Sequence, residues 1–131
     1  MSQQLSADLA EFMFERIATH EQLQALLWLS ANRGTSMTPA ALAKVTGISS
    51  ETLGEALEAL VHADLVTPDA RQAERYSYAP AEPEADQYVR LIADLYDSQR
   101  ADVLRALADN SVKRLRHATF QAFGQQFRLK V

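Results

Sequence analysis

Apolar side chains recur at intervals of three and four residues along most of the chain, which is the spacing of amphipathic helices. The first such stretch runs from Ala7 to Ile17, and the second begins at Thr19, where Thr19 and Gln22 match a capping box. A long stretch opens at Pro83 and predicts one helix to about Asp109. We expect Asn110 and Ser111 to break that helix before a last one follows.

The region from Thr38 to Leu65 predicts two short helices joined by a tight turn. Thr38 is a good N-cap, and Pro39 follows at the first helical position, where a missing N–H costs nothing. Gly47 is a suitable C-terminal stop, and Ser49 can cap the second helix. Two capped helices around a glycine turn have the layout of a helix-turn-helix.

The spacing of three residues strengthens this interpretation. Ala43 is small enough for the two helices to cross closely, Gly47 can take the positive φ of the turn, and Leu53 anchors the second helix. The same segment places five further apolar residues at core-facing spacings: Leu42, Val45, Ile48, Leu57 and Leu60.

Two short runs after the helix-turn-helix are rich in β-branched and aromatic residues. Leu65 to Thr67 and Tyr76 to Ala79 predict two strands, and the polar segment 68–75 predicts the loop between them. The predicted fold is therefore mainly α with a small β-hairpin wing, a winged helix-turn-helix flanked by N- and C-terminal helices. We expect one domain over 1–131, with the N-terminal helix in 1–18, the winged module in 19–80 and C-terminal helices in 81–131.

Composition excludes several kinds of chemistry. The 131 residues include no cysteine, so disulfides, thiolate nucleophiles and cysteine-ligated zinc are absent. The three histidines have no ligand-like spacing, and no glycine-rich phosphate loop or nucleophile motif is present. We expect no metal, no cofactor and no enzymatic activity. The chain also lacks a signal-like N-terminus and a membrane-spanning apolar run, so we expect a cytoplasmic protein with no membrane association.

Charge is distributed unevenly along the chain. The net charge is −4, but residues from 99 onward carry seven basic and two acidic side chains, or +5. The first 98 residues carry six basic and fifteen acidic side chains, or −9. The predicted helix-turn-helix therefore lies in the acidic part, and the basic part is the C-terminal tail.

Residues 19 to 80 resemble the winged-helix modules of small bacterial transcription regulators, the MarR-like and ArsR-like groups. The ending Phe123 to Lys130, FGQQFRLK, resembles the FADAFRLRK-type ending of a group of small proteobacterial winged-helix proteins. The resemblance implies a DNA-binding transcriptional regulator. It also implies a homodimer formed by helices outside the module, here the N-terminal helix and the helix from Pro83.

The same resemblance indicates which residues would contact double-stranded DNA. The exposed N-terminal half of the second helix of the motif would enter the major groove. The residues at those positions are Ser49, Ser50, Glu51, Thr52, Gly54, Glu55 and Glu58. The wing would contribute Arg71, Gln72 and Arg75 to phosphates or the minor groove, although a solubilising hairpin tip would have the same composition.

The glutamates on that helix favour a second interpretation. Glu51, Glu55 and Glu58 form one carboxylate stripe, whereas duplex binding depends mainly on cations that contact phosphates. The alternative is a winged-helix module that has lost DNA binding and meets a basic protein partner through this stripe. The tail residues Lys113, Arg114, Arg116 and His117 remain open between a phosphate-binding patch, a solvated face and a surface that pairs with acidic residues of a partner subunit.

Overall fold

The computed structural model describes residues 6–72 and 74–129, with side chains in the last helix described as far as residue 116. Its elements in chain order are α1 (Ala7–Arg16), α2 (His20–Ala31), α3 (Pro39–Thr46), α4 (Ser50–His62), β1 (Val66–Pro68), β2 (Tyr76–Tyr78), α5 (Pro83–Ser98) and α6 (Arg100–Leu129). This order of helices around one hairpin is the predicted winged helix-turn-helix with flanking helices.

Side-chain hydroxyls define where the first four helices begin. The hydroxyl oxygens of Ser6, Thr19, Thr38 and Ser49 each accept a hydrogen bond from a backbone N–H three residues later, at 3.1 to 3.2 Å. These bonds satisfy N–H groups that have no partner inside a helix. At Thr19 the reciprocal bond of the predicted capping box differs, because the Gln22 side chain accepts from Ala18 N–H at 2.7 Å.

The core of the winged module lies mainly between α2 and α4. Leu23, Leu26 and Leu29 of α2 are fully buried, as are Leu53 and Leu57 of α4. Leu42 is the buried residue of α3. The expectation that Val45 also faces the core is wrong, because its side chain is 53 % exposed. It lines an open cleft with Trp28 and Tyr96 instead.

The wing is tied to the start of the helix-turn-helix. β1 and β2 pair antiparallel with Val66 opposite Tyr78 and Pro68 opposite Tyr76. On its other edge, Tyr76 exchanges two backbone hydrogen bonds with Met37, each 2.9 Å long. Because Met37 directly precedes the cap of α3, this bridge holds the wing beside the N-terminus of α3.

The boundary between the two C-terminal helices lies at a different residue from the predicted one. The expected break at Asn110 is wrong: α5 ends at Ser98, and α6 continues through Asn110 and Ser111. Asn110 is 3 % exposed, and its amide donates a 3.1 Å hydrogen bond to the carbonyl oxygen of Ala10. A side chain that would otherwise compete with the helix backbone is therefore occupied by α1. No helix within the described residues is long and apolar enough to cross a membrane.

α1 packs against α5 and α6 of its own chain. Its apolar residues Leu9, Phe12, Met13 and Ile17 are at most 7 % exposed, and the ring of Phe12 stacks on Tyr88 at 4.8 Å. The apolar face of α1, which helped to predict dimerisation, is thus already covered within one chain. Dimerisation itself stays a prediction.

Arg114 is not part of a solvated basic patch. Its guanidinium donates to the carbonyl oxygens of Met13, Phe14 and Ile17, at the C-terminal end of α1. The same group lies over the Phe14 ring at 4.8 Å. Burial lowers the pKa of Arg114 from its usual value. It caps the carbonyls of another helix, where a cation is also favoured by the helix dipole.

Candidate nucleic-acid interface

The turn between α3 and α4 has the backbone geometry that a helix-turn-helix requires. Gly47 adopts φ 77° and ψ 6°, and its N–H donates to the carbonyl oxygen of Ala43 at 2.9 Å. Only glycine takes this left-handed conformation without a steric penalty, which explains the residue type. The next residue, Ile48, is partly buried and packs against the core, so the turn is fixed from both sides.

α4 has one buried and one exposed face. The buried face consists of Leu53, Ala56, Leu57 and Leu60. The residues of this helix and its cap that the sequence assigned to DNA contact lie on the other side: Ser49, Ser50, Glu51, Thr52, Glu55 and Glu58 are exposed, and Gly54 is partly exposed. The structure therefore brings these residues together on one accessible surface, as a groove-reading helix requires.

Two members of that surface have structural roles of their own. Ser49 caps α4, and its hydroxyl donates to the Thr52 hydroxyl oxygen at 2.8 Å. Gly54 lies in the middle of the exposed face, and a Cβ added there would meet nothing within 4 Å. No side chain therefore covers the backbone of α4 at Gly54, so a partner could approach the helix most closely there.

The three wing residues do not behave alike. Arg71 and Gln72 are exposed at the tip, and Arg71 N–H donates to the Asp69 carboxylate at 2.8 Å, which shapes the loop. Arg75 is partly buried and turned toward the helix-turn-helix. Its guanidinium donates to the backbone carbonyl of Ser36 at 3.3 Å and contacts the Ser36 hydroxyl at 3.4 Å. Arg75 therefore helps to hold the wing, whereas the guanidinium of Arg71 is exposed at its tip.

A groove of about 540 Å³ runs between α4, the start of α3 and the wing. Four carboxylates line it, from Glu51, Glu55 and Glu58 on α4 and from Glu74 on the wing. We call this surface the acidic groove. Its remaining lining residues are Thr38, Pro39, Ala40, Ser50, Gly54 and Tyr76, so no cation lies among them. The surface that would face DNA is more acidic than α4 alone indicates.

Sequence reasoning missed Glu74 and Tyr76 as members of this surface. Neither carries a local motif, and both reach α4 only because the bridge between Met37 and Tyr76 folds the hairpin back. Glu74 has a φ of 65°, a left-handed conformation uncommon for a residue with a Cβ. The signal for this arrangement is tertiary and could not be read from spacing.

Arg33, a cation at the edge of the module, is committed to an ion pair. Its guanidinium donates to Asp86 of α5 at 2.6 Å and lies over the Tyr78 ring at 4.8 Å. Asp86 also accepts from the Tyr78 hydroxyl at 2.7 Å and from Arg90 at 3.0 Å. The Arg33 hydrogen bond, followed by that of Tyr78, holds the pKa of the Asp86 carboxyl well below its usual range. Burial, together with the same carboxylate, raises the pKa of Tyr78, which stays a donor.

Few cationic side chains near α4 are unpaired and therefore available to contact phosphates. Between residues 19 and 80, excluding the undescribed position 73, the side chains of Lys44 and Arg71 make no hydrogen bond or ion pair. Both are exposed, Lys44 on α3 and Arg71 at the wing tip. They flank the acidic groove rather than line it. Phosphate contacts would therefore fall at its edges.

Within the described part of the chain, no three histidine, aspartate or glutamate side chains are arranged to hold a metal ion.

Comparisons with known proteins give one structural similarity. No protein-family model and no curated protein matches the chain. Among solved structures, the chain is similar to the crystal structure of a mutant of MepR from a multidrug-resistant S. aureus clinical isolate, at 16 % sequence identity and a TM-score of 0.48. The similarity covers 92 % of this chain and 87 % of that one. The assignment of a winged helix-turn-helix rests on the helices, turn and hairpin described above.

Proposed function

We propose that the chain is a DNA-binding transcriptional regulator that acts as a homodimer, with α4 as its groove-reading helix. The observation that carries this proposal is the exposed face of α4, which the Gly47 turn and the capping Ser49 present beside the wing. An α-helix held this way fits the width of the major groove, and a wing beside it can reach the adjacent backbone.

The distribution of charge defines how such a regulator would bind. Lys44, Arg71 and Arg75 are the cations that α3 and the wing place around the exposed face of α4, with the two arginines on both sides of the wing loop. Glutamates on α4 can accept hydrogen bonds from cytosine amino groups but repel the phosphates. Such a protein would bind generic DNA weakly and depend on its edge cations for affinity.

The experiment that tests this proposal is a salt series of binding to a generic duplex. A protein that contacts Z phosphates loses affinity with a log–log slope of about −0.9Z. Two or three cations in each of two subunits make four to six phosphate contacts and give an expected slope between about −3.6 and −5.4. Binding that is absent at low salt would overturn the assignment to DNA.

The acidic groove favours one second candidate, a module that binds a basic segment of another protein. Four carboxylates converge on one concavity of about 540 Å³ without a lining cation. A lysine- or arginine-rich segment would match both the shape and the charge of this groove. A duplex-binding protein and a peptide-binding protein give opposite results when one of these glutamates is reversed in charge.

A further inference from the structure

α6 carries an apolar stripe that its own chain leaves largely exposed. The stripe consists of Ala101, Leu104, Ala108, Val112 and Leu115. Its first three intervals, 3, 4 and 4, cover eleven residues in three turns, and a spacing of 3.67 residues per turn stays on one side of a nearly straight helix. Val112 is 47 % and Leu115 is 68 % exposed, whereas Leu104 is partly buried.

Apart from Leu104, which packs against the edge of the core, the stripe is not the face by which α6 joins its own core. The core-facing residues of α6 are Val103, Leu107 and Asn110, all at most 5 % exposed, together with Arg114. At 100° per residue the centre of these positions lies about 130° around the helix axis from Ala108. The exposed stripe is therefore a second apolar face, and such faces on a soluble helix mark interaction surfaces.

We propose that a second copy of the chain covers this stripe, with the two α6 helices antiparallel about a two-fold axis near Ala108. The inference rests on the proposed homodimer and names its interface. In this register Ala101 of one copy faces Leu115 of the other, and Leu104 faces Val112. Each large side chain thus meets a smaller one, and Ala108 meets its own copy, which lets the helices approach closely.

Charge on the flank of the stripe supports the antiparallel direction. Arg105 and Asp109 lie on the same flank, four residues apart, and both are exposed. An antiparallel two-fold brings Arg105 of each copy beside Asp109 of the other, so the pair forms twice. Within one chain, Arg105 makes a 3.6 Å ion pair with Asp102, and its side chain is 69 % exposed. In a parallel pair each residue of the stripe would face the same residue of the other copy. Alanine would then face alanine and leave gaps, and leucine would face leucine and be crowded.

The absence of cysteine from the sequence provides a direct test of the register. In the intact chain, Ala108→Cys introduces the only thiol, and it lies at the proposed two-fold axis. Mild oxidation should convert most of this variant to a disulfide-linked dimer, because facing alanines bring two Cα atoms within disulfide range. Lys113→Cys is the matched control, exposed on the same helix but away from the stripe, and should remain largely unlinked. Equal cross-linking of the two variants would overturn the register.

Sedimentation tests the interface without modification. The intact chain should be a dimer at micromolar concentration, and Leu115→Glu should weaken the dimer at least tenfold while its circular dichroism stays unchanged. Arg105→Asp alone should weaken the dimer, and adding Asp109→Arg should restore it. A monomeric parent chain, or a Leu115→Glu dimer as tight as the parent, would refute the interface. The DNA salt series tests the proposed function separately. If the parent chain were a monomer that binds DNA, the interface would be wrong and the DNA-binding function would be supported. If it were a dimer that does not bind DNA, the interface would be supported and the DNA-binding function would be wrong.

Discussion

Tyr78 donates its hydroxyl to Asp86 over 2.7 Å and so joins the last strand of the wing to the first turn of α5. Asp86 also binds Arg33, at the end of α2, and this makes one carboxylate the junction of three elements. The position of the winged module relative to α5 therefore depends on the charge of one side chain. Two of the three donors come from the module itself.

The first prediction concerns the charge of Asp86. Asp86→Asn should lower the free energy of unfolding at pH 7 by about 1–2 kcal/mol, because the partly buried hydrogen bonds lose their charged acceptor and asparagine offers one acceptor oxygen in place of two. The folded-state pKa lies below the unfolded value of about 3.9, so the carboxylate stabilises the fold above that value. This contribution is lost as the pH falls below about 4 and through the folded pKa. Urea unfolding at pH 7 and at pH 3 measures the free energy of unfolding of parent and variant, and the difference between the two proteins should be smaller at pH 3.

Arg90→Gln is the control for this prediction. Arg90 pairs with the same carboxylate but is 64 % exposed, so its removal should cost less than about 0.5 kcal/mol. An equal loss in the two variants would show that general surface charge, and not the hydrogen bonds of Asp86 to Arg33 and Tyr78, sets the stability.

The second prediction concerns Arg114, which caps the end of α1. Arg114→Ala should destabilise the chain by about 1.5–3 kcal/mol, because three carbonyl oxygens of α1 lose a charged donor. Arg116→Ala, two residues further on and exposed, should change stability by less than about 0.5 kcal/mol. Thermal unfolding of both variants makes the comparison. If both variants were neutral, Arg114 would be a solvated residue like its neighbour.

The third prediction uses the glycine in the middle of α4. Gly54→Ala should stabilise the fold by about 0.5–1 kcal/mol, because alanine has the higher helix propensity and its Cβ meets nothing within 4 Å. If a partner approaches the bare backbone there, the same methyl group should weaken binding while stability rises. Denaturant unfolding and DNA binding, measured on one preparation, separate the two effects. A loss of stability would mean that the helix is packed differently at this position.

The local signals in the sequence predicted the winged module well. The caps at Thr19, Thr38 and Ser49 and the turn at Gly47 depend on contacts within four residues, so their chemistry is visible in the sequence. The prediction that the helix breaks at Asn110 was wrong for the opposite reason. Its amide finds an acceptor on Ala10, a hundred residues away, and a long-range contact of this kind leaves no local pattern.

In the candidate site, too, features that depend on local contacts could be predicted, and features that depend on long-range contacts could not. The exposed face of α4 could be predicted because the spacing of Leu53 and Leu57 fixes the buried side. Glu74 could not be placed in the acidic groove, since a strand bridge to Met37 determines where the hairpin lies. The role of Arg75 was missed likewise, because its acceptor belongs to Ser36.

The fourth prediction concerns the wing cations. If the protein binds DNA, Arg71→Ala combined with Arg75→Ala should weaken binding to all sequences alike and flatten the salt slope by about one to two units for each wing that contacts the backbone. Arg71→Ala alone should account for most of this change, because Arg75 already donates to Ser36. Arg90→Ala, on α5, is the control and should leave the slope unaltered. An unaltered slope in the double variant would move the phosphate contacts to Lys44 or the C-terminal tail.

The fifth prediction separates the two proposed functions through Glu55. Glu55 is exposed, while Leu53 and Leu57 are fully buried, so Glu55→Lys should change the stability by no more than about 0.5 kcal/mol. In a groove-reading helix the new cation should tighten binding to generic DNA and blur sequence preference. In a module that binds basic segments, it should abolish the complex, because like charges at an interface cost several kcal/mol.

Binding of this variant to a generic duplex and to a polylysine peptide decides between the two functions. Glu15→Lys is the matched control, since it changes the net charge equally at an exposed position of α1, remote from the acidic groove. Tighter DNA binding by Glu55→Lys than by Glu15→Lys would support the regulator, because only a charge close to the phosphates acts beyond the net charge. Loss of peptide binding by Glu55→Lys alone would support the interaction module. If the two variants matched each other in both assays, the face of α4 would be a solvated surface, and both assignments of it would be wrong.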